Sequence, residues 1–193
     1  MFRLKLSTDP RWAELAQHNI EEVLTDHAFC EQKAASSAIA LIVHFPEHTE
    51  LVIAMAELVR EEMEHFQRVH QFMLNRGYRL GRERKDHYVN ELMKMVRRGE
   101  GREKNLLDRL LFAAMIEARS CERFKVLSEH IQDEELAAFY RELMQSEATH
   151  YTLFIKLARR LCPHDDVDAR WNEFLEYEGN IILNYGTKEH IHG

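Results

Sequence analysis

Glycine is missing from most of this chain. Residues 1–76 contain none, residues 77–101 contain four, and residues 102–178 again contain none. Proline is as rare, occurring only at positions 10, 46 and 163. Long blocks interrupted at so few points exclude a many-turned β architecture and predict long helices. The three cysteines, Cys30, Cys121 and Cys162, are too few and too scattered for a disulfide framework or a zinc ribbon. No apolar run approaches the length of a membrane span, and the opening "MFRLKLSTDP" holds no apolar signal-type core. The expectation is a cytoplasmic, reduced protein whose residues 1–193 form a single domain. Phosphate-binding loops, nucleophile elbows, Ser-His-Asp arrangements and flavin or nicotinamide motifs are also missing.

What remains is helix. Each Gly-free block reads as a helical hairpin. In the first, a helix over 12–45 stops at Pro46 and a second runs from about Glu47 to Asn75. In the second, a helix from Glu103 to His130 is followed by one that Asp133 caps and that continues to Leu161. A short helix is expected within 86–98 and another over 167–184. The predicted fold class is all-α: a four-helix bundle with a long crossover and an extra C-terminal helix.

Four glutamates sit where a bundle interior is expected. Glu62 shares a helical face with Met55, Leu58, Val59, Phe66 and Val69, and Glu147 with Tyr140, Leu143, Met144, Tyr151 and Phe154. Glu31 lies among Leu24, Ala34, Ala35 and Ala38, and Glu117 among Leu110, Ala113, Ala114, Cys121 and Phe124. An uncompensated carboxylate there costs several kcal/mol. Two of the four belong to Glu-x-x-His pairs, Glu62/His65 and Glu147/His150. With 25 Glu and 12 His, roughly 1.5 such pairs arise by chance, so the pairs alone decide nothing. A third, Glu189/His192, sits in a polar tail and is expected to be uninvolved.

Register separates the first two from chance. Glu31 lies 15 residues before Pro46 and Glu62 lies 16 after it, while Glu117 and Glu147 lie 15 to either side of Gln132. Equal distances from a turn put residues of an antiparallel hairpin at one height. All four carboxylates and both histidines are thus expected in one layer, the di-metal carboxylate arrangement of one Glu from each of two helices and Glu-x-x-His from each of the others. Two divalent ions would neutralise four carboxylates. Pairing of Glu31 or Glu117 with an arginine such as Arg119 is the competing explanation. Glu122 rivals Glu117 because "CE" occurs at 30–31 and at 121–122, but it lies about 7.5 Å further along the helix and about 140° around it. Cys30 and Cys121 read as small core residues.

The words "DHAFCEQKAASSA", "REEMEHF", "IEARSCERF" and "SEATHY", in that order and spacing, resemble the ferritin-like tRNA hydroxylase family. Its members hydroxylate the isopentenyl group of 2-methylthio-N6-isopentenyladenosine beside the anticodon. The resemblance spans about residues 10–160 and implies a ferritin-like fold with a non-haem di-iron centre. Carried over residue by residue, the implied iron ligands are Glu31, Glu62, His65, Glu117, Glu147 and His150. It further implies an O2-dependent monooxygenase that uses two iron ions. An external ferredoxin or reductase would supply its electrons, and tRNA, through its anticodon stem-loop, would be the substrate. Iron storage or oxidation and peroxide reduction are the alternative activities of such a site. A monomer is the expected state, without a membrane partner.

Charge adds one candidate surface. The net charge is −7, yet residues 76–104 carry ten Lys/Arg against five acids. Arg82, Arg84, Lys85, Arg97, Arg98 and Arg102 from this stretch are the expected contacts to tRNA phosphates, with an ordinary solvated face as the competing reading.

Overall fold

The computed structural model describes residues 2–83 and 85–185. Arg84 and the Glu189/His192 pair lie outside the described residues. Every regular element is helical, and no strand occurs among the described residues. By packing, the chain divides into two compact units, one of residues 18–83 and 85 and one of residues 2–17 with 86–185.

The first unit is the hairpin of α2 (Ile20–His44) and α3 (Thr49–Asn75). Phe45, held out of the helical region by the proline that follows, ends α2 with its backbone N–H on the Leu41 carbonyl. The end of α3 is a Schellman turn: Gly77 adopts a φ of 75°, and the Tyr78 and Gly77 N–H groups donate to the carbonyls of Met73 and Leu74. Between these stops, Leu51, Met55, Leu58, Val69 and Met73 form the buried stripe of α3. Each stabilises the hairpin by about 1.5–3 kcal/mol. Leu24, Ala28, Ala35, Ala38 and Leu41 form the buried stripe of α2.

The second unit is built on α5 (Arg102–His130) and α6 (Glu134–Leu161). It adds α1 (Arg11–His18), α4 (His87–Leu92) and α7 (Val167–Tyr185). Asp133 caps α6 as expected, its Oδ1 accepting from the Leu136 N–H at 2.9 Å. The helix expected over 12–45 is in fact two. Asn19 stands at φ −134°, ψ 45° between α1 and α2, and Asn tolerates such a break better than most residues.

Helix α5 is wrapped nearly all round: 19 of its 29 residues are buried, so its charged side chains each need an account. Asp108 receives the Arg97 guanidinium through two bonds of 2.8 Å, the Arg97 backbone N–H at 2.8 Å, and Arg170 from α7 at 2.9 Å. Arg119, fully buried, lies 2.6 Å from Glu178 of α7 and 3.0 Å from Glu122. Glu122 in turn accepts from the N–H and hydroxyl of Thr8 at 2.7 and 2.5 Å. Arg123 stacks over Trp12 of α1 at 4.7 Å. The N-terminal segment, α1 and α7 are thereby fastened to α5 by charge as well as by packing.

Burial pushes the Asp108 carboxyl up, but the bonds from Arg97 and Arg170 together outweigh it and hold the group below its ordinary value of 3.8. Asp108→Asn is expected to lower the unfolding free energy at neutral pH by about 3 kcal/mol in urea titrations. The ionised pair's contribution is complete above the ordinary carboxylate value and is lost as pH falls through the lower folded-state value. The gap between wild type and variant should therefore close below about pH 4. A gap unchanged at pH 2 would make the contact steric rather than ionic.

Candidate metal centre

In the α2/α3 hairpin, Glu31, Glu62 and His65 are buried, Glu62 completely. One turn of α3 separates Glu62 from His65, so both project from the same face. His65 Nδ1 lies 3.6 Å from Glu62 Oε2 and 3.8 Å from Glu31 Oε2. The α5/α6 hairpin repeats the arrangement. His150 Nδ1 lies 3.8 Å from Glu147 Oε2 and 4.0 Å from Glu117 Oε2, and all three residues are buried. Each hairpin thus brings its expected Glu, Glu and His together in one triad.

The separations fit donors around a cation. Two ligand atoms about 2.1 Å from one first-row metal lie about 3.0–3.5 Å apart. The triads are a few tenths of an ångström wider, and too wide for the direct hydrogen bonds of a closed ion pair. Oxygen and imidazole nitrogen form a donor set suited to iron or manganese. One divalent ion per triad balances its two carboxylates. The residues present therefore fit a metal in each hairpin.

The competing explanations are answered by α5. Arg119 is taken by Glu178 and Glu122, so it is not the counter-charge of Glu117. Glu122 is occupied by Thr8 and Arg119, while Glu117 faces His150. Cys121 is a core residue as expected: burial, with Glu147 and Glu122 nearby, pushes its thiol up to about 12, and its Sγ–H donates to the Met144 carbonyl. Sequence reading passed over His27, which is fully buried with Nε2 2.6 Å from Glu31 Oε1. Its signal was the i, i+4 spacing to Glu31.

The expected phosphate contacts fare unevenly. Arg82, Lys85, Arg98 and Arg102 are exposed. Arg97 does not fit that expectation: its guanidinium grips Asp108 bidentately, and less than a quarter of the side chain is exposed. Reversing its charge would damage the fold before it reported on RNA.

Site and structural carboxylates should respond differently to added metal. Fe(II) is expected to raise the Tm of wild type and to lose that effect in Glu62→Leu. Glu122→Leu, which strands Arg119 and Thr8, should lower Tm by roughly 5 °C or more with or without metal. Calorimetry on both variants checks this, and a metal response retained in Glu62→Leu would remove Glu62 from the candidate ligands.

Known proteins share this framework. A solved structure described as Protein 43 with aldehyde deformylating oxygenase activity, from Synechococcus, superposes with a TM-score of 0.91. It is 33% identical, and the match covers 98% of this chain and 95% of that one. The fold is accordingly ferritin-like. A Pseudomonas putida protein named tRNA 2-(methylsulfanyl)-N(6)-isopentenyladenosine(37) hydroxylase is 41% identical over 160 residues, 83% of this chain and 77% of that protein. A Salmonella typhimurium protein of the same name is 29% identical over 98% of this chain and 87% of its own length. The family model described as tRNA-(MS[2]IO[6]A)-hydroxylase (MiaE) matches residues 2–193. With the fold, the repeated triads and a match of this extent, the chain belongs to that tRNA hydroxylase family.

Proposed function

We propose that this protein is an O2-dependent di-iron monooxygenase that hydroxylates the isopentenyl group of 2-methylthio-N6-isopentenyladenosine in tRNA. The observation that carries the chemistry is the buried Glu, Glu-x-x-His triad, present once in each hairpin. Family membership carries the substrate. Glu31, Glu62 and His65 would hold one iron, and Glu117, Glu147 and His150 the other. Bound there, the irons supply the two-electron activation of dioxygen that an unactivated C–H bond requires.

The chain's own residues do the rest. Six ligands on long, packed helices fix the donor positions. The apolar side chains flanking them, Leu24, Ala35 and Ala38 on α2 and Leu110, Ala114 and Phe124 on α5, keep water from the reacting bond and suit an apolar prenyl group. One oxygen atom enters the C–H bond, and the other leaves as water with two electrons and two protons. An external ferredoxin or reductase supplies the electrons, since the sequence holds no flavin or nicotinamide motif. Exposed Arg82, Lys85, Arg98 and Arg102 contact tRNA phosphates. No described helix is long and apolar enough to cross a membrane, and a cytoplasmic monomer fits a protein that meets tRNA.

The solved neighbour supports a second reading, oxidation of an aldehyde at the same centre. One experiment separates the two. Iron-loaded protein, a reductant and O2 are mixed with prenylated tRNA, and in parallel with a long-chain aldehyde. Gain of one oxygen on the modified nucleoside by mass, absent with Glu62→Ala, is the expected result; loss of aldehyde with unmodified tRNA would transfer the assignment. Neutralising Arg82 and Lys85 together is expected to weaken tRNA binding and reduce the slope of log affinity against log salt by about 1.5–2. An unchanged slope would remove those two from the contact surface.

A further inference from the structure

His27 sits one helical turn before Glu31 on α2, wholly out of water. Its Nε2 is 2.6 Å from Glu31 Oε1. An ionised carboxylate can only accept, so Nε2 carries the proton and donates. The other oxygen, Oε2, is the one turned toward His65, at 3.8 Å. The two oxygens of Glu31 are thus divided: one is held by His27, and the other is presented to the triad. A carboxylate with one oxygen fixed in a short, charge-assisted bond has few rotamers left for the second.

From this division of the two oxygens we propose that His27 is a positioning residue for Glu31, which pre-sets the α2/α3 triad for its metal ion. The proposal rests on the reading that the triads hold iron. His27 itself does not touch metal or substrate. Its work is to keep Oε2 aimed where a ligand is needed, so that binding does not first have to order the side chain. Hydrogen-bonding partners of metal ligands typically carry 10–100-fold in affinity. Here that factor falls on one of two ions.

The test is an anaerobic Fe(II) titration of the full chain against a competing chelator, with Tm of the metal-free protein measured alongside. Wild type is expected to take two ions. His27→Leu should lose about 10–100-fold in affinity for one ion and stay within a few-fold for the other. His27→Gln, whose amide N–H can reach the same oxygen, should recover most of the loss. His27→Asn, polar but too short to reach, should behave like leucine and serves in its place if leucine is not accommodated. Metal-free Tm should stay within a few degrees across the series. Unchanged affinities in the leucine or asparagine variant overturn the proposal and leave the di-iron reading intact. Equal losses with Gln, Asn and Leu also overturn it, since packing alone would then be at stake. A wild type that takes up no iron overturns the metal reading itself.

Discussion

A carboxylate withdrawn from water costs several kcal/mol unless positive charge comes with it, and this chain withdraws carboxylates repeatedly. It answers them in two ways. Asp108, Glu122 and Glu178 are met by arginines at hydrogen-bonding distance, with Arg97, Arg119 and Arg170 supplying the charge. Glu31, Glu62, Glu117 and Glu147 are gathered around histidines at separations of 3.6–4.0 Å. The first group is complete as it stands and fastens segments together. In the second, two carboxylates and a histidine converge in each hairpin, a donor set compatible with a bound cation.

Both groups meet on α5, and helical rotation keeps them apart. Arg119 follows Glu117 by two residues, a turn of about 200°. Glu117 therefore faces His150 on α6, while Arg119 faces the opposite way, toward Glu178 of α7 and the Leu6 carbonyl. Glu122, about 140° from Glu117, falls on the structural side with Thr8. The same geometry explains why "CE" at 121–122 does not repeat the role of "CE" at 30–31. Identical words at different phases of a helix point at different neighbours.

The sequence made some of this legible and not the rest, for physical reasons. Helix ends were readable because they are local: Phe45-Pro46, Gly77 and the Asp133 cap each act within a few residues. The triads were readable because equal distance from a turn is a long-range fact that counting supplies. The Arg119–Glu178 and Arg170–Asp108 contacts link residues 59 and 62 apart on different helices, and no local pattern announces them. The tie between Arg97 and Asp108 was hidden for the same reason: a charge count records that a cation exists, not that Asp108 engages it. His27 was different in kind. Its spacing to Glu31 was visible, but a histidine four residues from a glutamate is common on helix surfaces and acquires meaning only once both are known to be buried.

The segments outside the two hairpins acquire a purpose from this division. Helix α7 and the N-terminal residues contribute nothing to either triad, yet Glu178, Arg170, Thr8 and Trp12 answer the charges on α5 that the triad does not use. A core helix that carries both a triad carboxylate and a buried arginine needs partners on two sides. Without Glu178 and Glu122, Arg119 would be a fully desolvated cation two residues from Glu117, and α5 would gain by rotating or fraying toward water. The extra helix thus bears on the geometry of the triad. By engaging Arg119 it holds α5 in the rotation that keeps Glu117 facing His150, so the placement of the triad depends, through charge, on residues outside it.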